Sequence, residues 1–499
     1  MALPKYLGTE TEYGISVVGR PDFNPVLASS MVVNAYSADG GPRAKWDYEE
    51  ENPLRDARGF TQPGAHEPPP EDDIGLANAI LSNGARFYVD HAHPEYSSPE
   101  CSHPRDAVIW DKAGERILEM AAERAGQLLP GHSAADPGRI VVTKNNTDGK
   151  GAAYGCHENV LVSRELPFGE IVRQLVPFLV SRQILVGAGR LGNEFGLSDV
   201  PYQISQRADF FEVEVGLETT LKRPIVNTRD EPHADPDHYR RLHVIIGDAN
   251  LSEVCTELKL GSLTLLLCML EDGFLPEPPQ LASPVPALQA ISHDLTCKRT
   301  VDLLDGRSVT PIELQWHFLE LAAKYVEDRN GPWWAPEILE LWERVLTALE
   351  DDPMTLDGVV DWVTKYSLLR RYRERDDWAW DADKLKLVDL QYHDVRRDRG
   401  LYHKLAAAGR VERRVTEEEI TDAIDQPPGD TRAFFRGRCL ERYRDQVAAA
   451  GWDAIIFDTG AESLQRVPMM EPGKGDRASV GDLIDRCETA GELLAQLRR

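Results

Sequence analysis

Charged side chains at alternate positions of strand-like segments constrain this chain more than any other feature. Tyr6 to Val18 mixes β-branched and aromatic residues with polar ones in alternation, which predicts a strand. Glu10 and Glu12 stand two apart in it, so both carboxylates point to one face. Tyr88 and Asp90 share a face of a second strand, Arg86 to Asp90, and a Pro-rich turn with Glu95 and Glu100 follows. His157 and Asn159 alternate on a third strand, His157 to Ser163; Arg241 and His243 alternate on a fourth, Arg241 to Ile246. Inward carboxylates and imidazoles must be neutralised or must hold cations. Carboxylates with few histidines and no cysteine suit hard ions such as Mg²⁺ or Mn²⁺, and Mg²⁺ of this kind normally bridges phosphates. Arginines accompany the acids: Arg86, Arg207, Arg223 and Arg229. Polyphosphate needs such bidentate donors. Taken singly, each residue is as ordinary as a satisfied strand histidine or a surface arginine; the joint pattern carries the reading.

The rest of the sequence narrows the class. Of 499 residues, 42% are apolar and 28% charged, which supports a sizeable core and two to four domains, or one large catalytic domain with an appendage. The net charge of −27 argues against nucleic acid and polybasic membrane contact. The longest apolar run, Leu263 to Leu270, is too short to span a bilayer. The N-terminus carries no basic region followed by an apolar one, so the expectation is a cytoplasmic protein without a secretory signal. Seven scattered cysteines fit neither a disulfide framework nor a zinc site. P-loop, dinucleotide-fold and serine-hydrolase signatures are all missing.

Along the chain, Ala38 to Asp73 reads as a long mobile loop, with Gly-Gly-Pro, the acidic run Asp47 to Glu51 and Pro68-Pro69-Pro70. Amphipathic helices are predicted over Ala107 to Leu129 and Glu170 to Leu185, and helical period dominates after Ser252. Gln426-Pro427-Pro428-Gly429 reads as a linker. It separates a large unit, 1–425, from a small α/β unit, 430–499, with a strand over Trp452 to Phe457. The fold class is α+β. Arg396, Arg397, Arg399, Lys404, Arg410, Arg413 and Arg414 form a basic track in an otherwise acidic chain, and Arg370, Arg371 and Arg373 form a second.

The residues also carry a resemblance. Gly8-Thr9-Glu10-Thr11-Glu12-Tyr13-Gly14, Tyr88-Val89-Asp90-His91-Ala92-His93-Pro94-Glu95-Tyr96, Ser205-Gln206-Arg207-Ala208-Asp209-Phe210 and Asp389-Leu390-Gln391-Tyr392-His393-Asp394 resemble the Pup ligase and deamidase family. Arg241-Leu242-His243 with Gly247-Asp248-Ala249-Asn250 does so too. Gly155-Cys156-His157-Glu158-Asn159 resembles the metal-binding histidine strand of glutamine synthetases. The resemblance implies a glutamine synthetase-like domain, a curved antiparallel sheet cradling Mg-ATP with flanking helices, and a small C-terminal domain beside it.

Within that family the strings resemble the deamidase branch, and Ala38 to Asp73 matches a loop which that branch has and the ligase lacks. The resemblance implies hydrolysis of the C-terminal glutamine of Pup to glutamate, and cleavage of the isopeptide bond between Pup and substrate lysines. ATP would be bound but not consumed at each turnover, together with Mg²⁺. Pup and pupylated proteins would be the partners, with a link to the bacterial proteasome. The alternatives are a Pup–protein ligase and a small-molecule carboxylate-amine ligase. Asp90 is implied as nucleophile or general base, and Arg207 as oxyanion stabiliser. Glu10, Glu12, Tyr88, Glu95, His157 and His243 are implied as metal ligands. Arg86, Ser98, Asn159, Arg229 and Trp452 are implied as nucleotide contacts.

Overall fold

The alternation at the N-terminus becomes one edge-to-edge antiparallel sheet. A computed structural model describes residues 2–38, 44–49, 51–61, 77–131 and 138–498. In chain order the strands of this sheet are β1 (Leu7–Glu12), β2 (Asn78–Ile80), β3 (Arg86–Asp90), β4 (His93–Ser97), β5 (Cys156–Ser163) and β6 (Tyr239–Val244). Across the sheet they run β6-β5-β1-β4-β3-β2. The segment after Asp90, expected to be a Pro-rich turn, is instead strand β4. Pro94 is tolerated because it lies one step past the last β1 pair, Glu12 opposite Glu95; its carbonyl accepts a bond from the Tyr13 N–H at 3.0 Å.

The two faces of the sheet differ by the period-two rule. Leu7, Val160, Val162, Leu242 and Val244 face a core built with the helices Phe168–Val186, Glu253–Glu271, Pro311–Arg329 and Ala335–Asp351. Phe87, Val89 and Tyr96 pack with the helix Pro104–Gln127 in a second cluster. The same alternation forces Glu158 onto this apolar side. Arg182 neutralises it there with two bonds, Nη1 to Oε2 at 2.7 Å and Nη2 to Oε1 at 2.6 Å. Helix Glu253–Glu271 is enclosed on all sides: its second half is mostly apolar, and Glu253 and Glu257 in its first turns are buried against Arg413 and Arg414. All seven cysteines are buried and free.

Of the stretch 38–73, residues 39–43, 50 and 62–73 lie outside the described residues. The rest is not featureless: it holds the short strands Lys45–Trp46, Arg55–Asp56 and Phe60–Thr61. Lys45–Trp46 pairs in parallel with Ala449–Ala450, so this stretch joins the sheet formed by Val447–Ala450, Ala454–Phe457 and Gln465–Pro468. The C-terminal elements share one apolar cluster with Ala44, Trp46 and Ile80.

An ionic clamp fastens these C-terminal elements to the large sheet. Glu100 accepts from Arg432 Nε at 2.7 Å and from Arg436 Nη1 at 3.2 Å. Arg436, fully buried, also donates to the carbonyls of Gly84 at 2.8 Å and Trp452 at 3.2 Å. Burial alone would raise the Glu100 carboxyl. The charges of Arg436 and Arg432 outweigh it and bring it from 4.5 to about 2. A carboxylate held lower in the folded state stabilises the fold above its unfolded pKa, and that stabilisation fades as pH falls through the folded value. Glu100→Gln should therefore cost about 3 kcal/mol in urea unfolding at neutral pH, because two buried guanidinium groups lose their partner. The difference from the wild type should shrink as pH approaches 2.

Candidate active site

Strand register gathers the acids. Glu10 lies opposite His157 on one side and Ser97 on the other, and Glu12 lies opposite Glu95. Tyr88 is also opposite Glu95, Asp90 opposite His93, and Asn159 opposite His243. Directly opposed residues share a face, and Glu10, Glu12, Tyr88, Asp90, His93, Glu95, Ser97 and His157 form the floor of one cavity of about 490 Å³. Its walls add Arg207, Arg223, Arg229 and Arg241, with Tyr48 and Glu51 on the far side.

Two clusters sit side by side on that floor. The ligand atoms of Glu10, His157 and His243 lie within 4.8 Å of one another, and so do those of Glu12, Asp90 and Glu95. In the first, His157 Nδ1 is 3.2 Å from Glu10 Oε2, while Asn159 and Arg241 donate to Glu10 Oε1 at 2.9 and 3.2 Å. Burial opposes ionisation of Glu10, but the His157 bond and the charges around it hold the carboxyl well below its usual range. In the second, His93 Nδ1 lies 3.2 Å from Glu12 Oε2. Burial, with Asp90, Glu12 and Glu10 nearby, pushes Glu95 well above the usual carboxyl range.

These residues fit a divalent cation. Oxygen and imidazole donors suit a hard or borderline ion. His243 Nε2, in a side chain only 1% exposed, has no hydrogen-bond partner and is the kind of buried lone pair a cation satisfies. Burial holds that imidazole neutral, as ligation requires. Tyr88 plays a different part from the other five expected ligands. Its hydroxyl donates to Glu95 Oε1 at 2.6 Å, and burial beside Glu95 keeps the phenol protonated. It therefore holds the Glu95 carboxyl in place.

Asp90 stands at the mouth, 39% exposed, with His91 Nδ1 at 3.1 Å. Burial disfavours its charge; the His91 bond, His157 and Arg229 reverse that and keep the carboxylate ionised. An ionised, accessible carboxylate of this kind can attack a carbonyl or take a proton from water. Arg207 is almost wholly buried in the cavity wall. One guanidinium nitrogen donates to the Ile245 carbonyl, and Nε has no hydrogen-bond partner. Burial and the neighbouring Arg223 bring it down to about 10.

The expected nucleotide contacts fall in two places. Arg86 and Arg229 line the main cavity. Ser98 and Asn159 line a smaller apolar pocket of about 80 Å³ beside it, and Trp452 borders both. Glu100 is drawn away into the C-terminal clamp described above. Period-two spacing would also have found His93, two residues before Glu95 on the same strand, which lines the cavity with Arg241. No local signal marks His233, Tyr48 or Glu51, which arrive through tertiary packing. The basic tracks are largely neutralised: Arg396 pairs with Asp394, Arg397 with Glu119, Arg399 with Asp398, Arg413 with Glu253 and Arg414 with Glu257. Arg370 and Arg371 pair with Glu374 and Asp357. These arginines are a salt-bridged surface, which the sequence pattern alone had left open.

The cleft is that of an enzyme: an antiparallel sheet presenting carboxylates and imidazoles beneath a rim of arginines, suited to cations and a polyanionic ligand. The chain belongs to the Pup-ligase protein family, whose model matches residues 5–456. It is 57% identical over 503 residues to a depupylase of Acidothermus cellulolyticus, covering 99% of each chain. It is 52% identical to the Pup deamidase/depupylase of Mycolicibacterium smegmatis, covering 99% of this chain and 100% of that one. Among solved structures it resembles the Pup ligase PafA in complex with Pup, with 32% identity, a TM-score of 0.81 and coverage of 99% and 94%. It also resembles PafA in complex with ADP, with 37% identity, a TM-score of 0.74 and coverage of 82% and 89%.

A protonated Glu95 could not ligate, so a Mg²⁺ ion held at this carboxyl would bind more tightly as pH rises, until the raised Glu95 pKa is passed. Calorimetry in buffers of different ionisation heat should show proton release on Mg²⁺ binding. Glu95→Gln should bind the ion more weakly and release no proton from this site.

Proposed function

We propose that the chain is an amidohydrolase acting on Pup. It converts the C-terminal glutamine of Pup to glutamate and cleaves the isopeptide bond joining Pup to substrate lysines. The observation that carries this reading is an ionised Asp90 at the cavity mouth, in a chain 57% and 52% identical to depupylases over 99% of its length. A ligase reading is disfavoured by the lower identity to the PafA structures. Pup and pupylated proteins are the partners. The buried thiols suit a reducing cytoplasm.

Mg-ATP is the cofactor of this reading, bound and not spent at each turnover. Glu10, His157 and His243 would hold one cation and Glu12 with Glu95 another. Bound there, Mg²⁺ would neutralise phosphate charge and help polarise the scissile region. Arg86 and Arg229 would meet phosphates, while Ser98, Asn159 and Trp452 would enclose the base. The units 1–425 and 430–499 then divide the labour, since Trp452 reaches the pocket from the smaller one.

Asp90 acts on the glutamyl carbonyl as nucleophile, or as base on water. In either route the C–N bond breaks, the carbonyl carbon gains oxygen from water, and ammonia or the lysine amine leaves with a proton. Arg207 favours the negative oxygen of the tetrahedral state. Asp90→Asn keeps shape and polarity but cannot serve in either role. It should lower single-turnover deamidation of glutamine-ended Pup by about a hundredfold or more, with Mg-ATP affinity nearly unchanged. Deamidation is read as a mass gain of about 1 Da, the difference between an amide and an acid. Retained cleavage moves the chemistry elsewhere; lost nucleotide affinity assigns Asp90 to the cation site.

A further inference from the structure

Arg86 reaches the cavity from β3, and its guanidinium is held between two aromatic faces. Its Cζ lies 4.0 Å from the ring centroid of Trp46 and 4.0 Å from that of Tyr88, its neighbour two positions along the strand. Tyr48 adds a third ring at 5.8 Å. The edges of the guanidinium are held as well: Nε donates to Asn78 Oδ1 at 3.2 Å and Nη1 to Glu51 Oε1 at 3.3 Å. Glu51 Oε1 also accepts from Trp46 Nε1 at 2.7 Å, and Asn78 Nδ2 donates to the Tyr48 hydroxyl at 3.0 Å. Trp46, Tyr48 and Glu51 thus form a single bracket from one short segment.

An arginine on a strand has several rotamers, and an unsupported one near an acid-rich floor would fold onto the carboxylates. The bracket prevents this. Two ring faces fix the guanidinium plane, and two acceptors fix its rotation within that plane. Among the described residues, Nη2 takes part in none of these bonds and would be left for a ligand. Trp46 is itself wedged in place: it is 7% exposed, and the Trp452 ring meets it edge-on at 5.4 Å and 74°. Its strand is added to the C-terminal sheet. Placement of Arg86 therefore depends on Trp46, Tyr48 and Glu51 and on the C-terminal elements together.

We propose that Trp46 is a positioning residue of the active site: it holds Arg86 in the orientation that receives the nucleotide phosphates. This rests on the reading of Arg86 as a phosphate contact, and the two can fail separately.

The test is Mg-ADP binding to the full-length protein, by calorimetry, for Arg86→Ala, Trp46→Leu, Trp46→Phe and the Trp46→Leu/Arg86→Ala double variant. Arg86→Ala should weaken binding by about tenfold or more, the value of a charge-assisted bond. Trp46→Leu keeps an apolar side chain in the cluster but removes the ring, and should weaken binding by about five- to tenfold. Trp46→Phe keeps a ring face and should recover most of that affinity. In the double variant the leucine should add little to the loss caused by Arg86→Ala, because its effect runs through Arg86. Trp46→Met stands in if the leucine variant does not fold. Unchanged affinity in Arg86→Ala would overturn the reading of Arg86. A weakened Arg86→Ala with an unchanged leucine variant would overturn the positioning role. So would equal losses in the leucine and phenylalanine variants, or additive losses in the double variant, since packing alone would produce those.

Discussion

Four carboxylates, Glu10, Glu12, Asp90 and Glu95, share one face of a sheet, and their mutual repulsion is the constraint around which the site is built. Like charges this close cannot all remain ionised in a buried space without counter-charges. The chain supplies partial answers. His157 and Arg241 serve Glu10, His93 serves Glu12, and His91 serves Asp90. Glu95 has only the Tyr88 hydroxyl and is driven toward its protonated form. The arrangement is thus left short of positive charge at one corner, which a divalent cation would supply.

The opposite face shows what happens to charge where no ligand is expected. Glu158 is closed off by Arg182 on both oxygens. Glu115 is met by Lys112 at 2.8 Å and Lys144 at 2.9 Å, and Lys144 also pairs with Asp111. Such groups are paired within the protein and hold helices to the sheet. The contrast between acids met by cations of the protein below and an acid left without one above separates structural from functional charge in one molecule.

The site's floor was legible because strand alternation is a local property. Glu10 with Glu12 and His157 with Asn159 could be placed on one face from spacing alone. Register could not be read that way, so His93 was not matched with Asp90, and the strand containing Pro94 looked like a turn. The far wall was less legible still. Trp46 and Glu51 meet Arg86 across more than thirty residues of chain, in a stretch whose composition reads as loop. The ion pairing of the basic track was illegible for the same reason. Arg397 finds Glu119, and Arg413 finds Glu253, at separations no local pattern reports. Local period reveals which residues share a face; tertiary pairing decides which charges remain available.

Diffraction from crystals grown with Mn²⁺ and a nucleotide, using the anomalous signal of the metal, tests the central claim most directly. The account predicts one peak among Glu10, His157 and His243 and another beside Glu12 and Glu95, with the Asp90 carboxylate outside bonding distance of both. Mn²⁺ bound directly to Asp90, or peaks away from this floor, would contradict it.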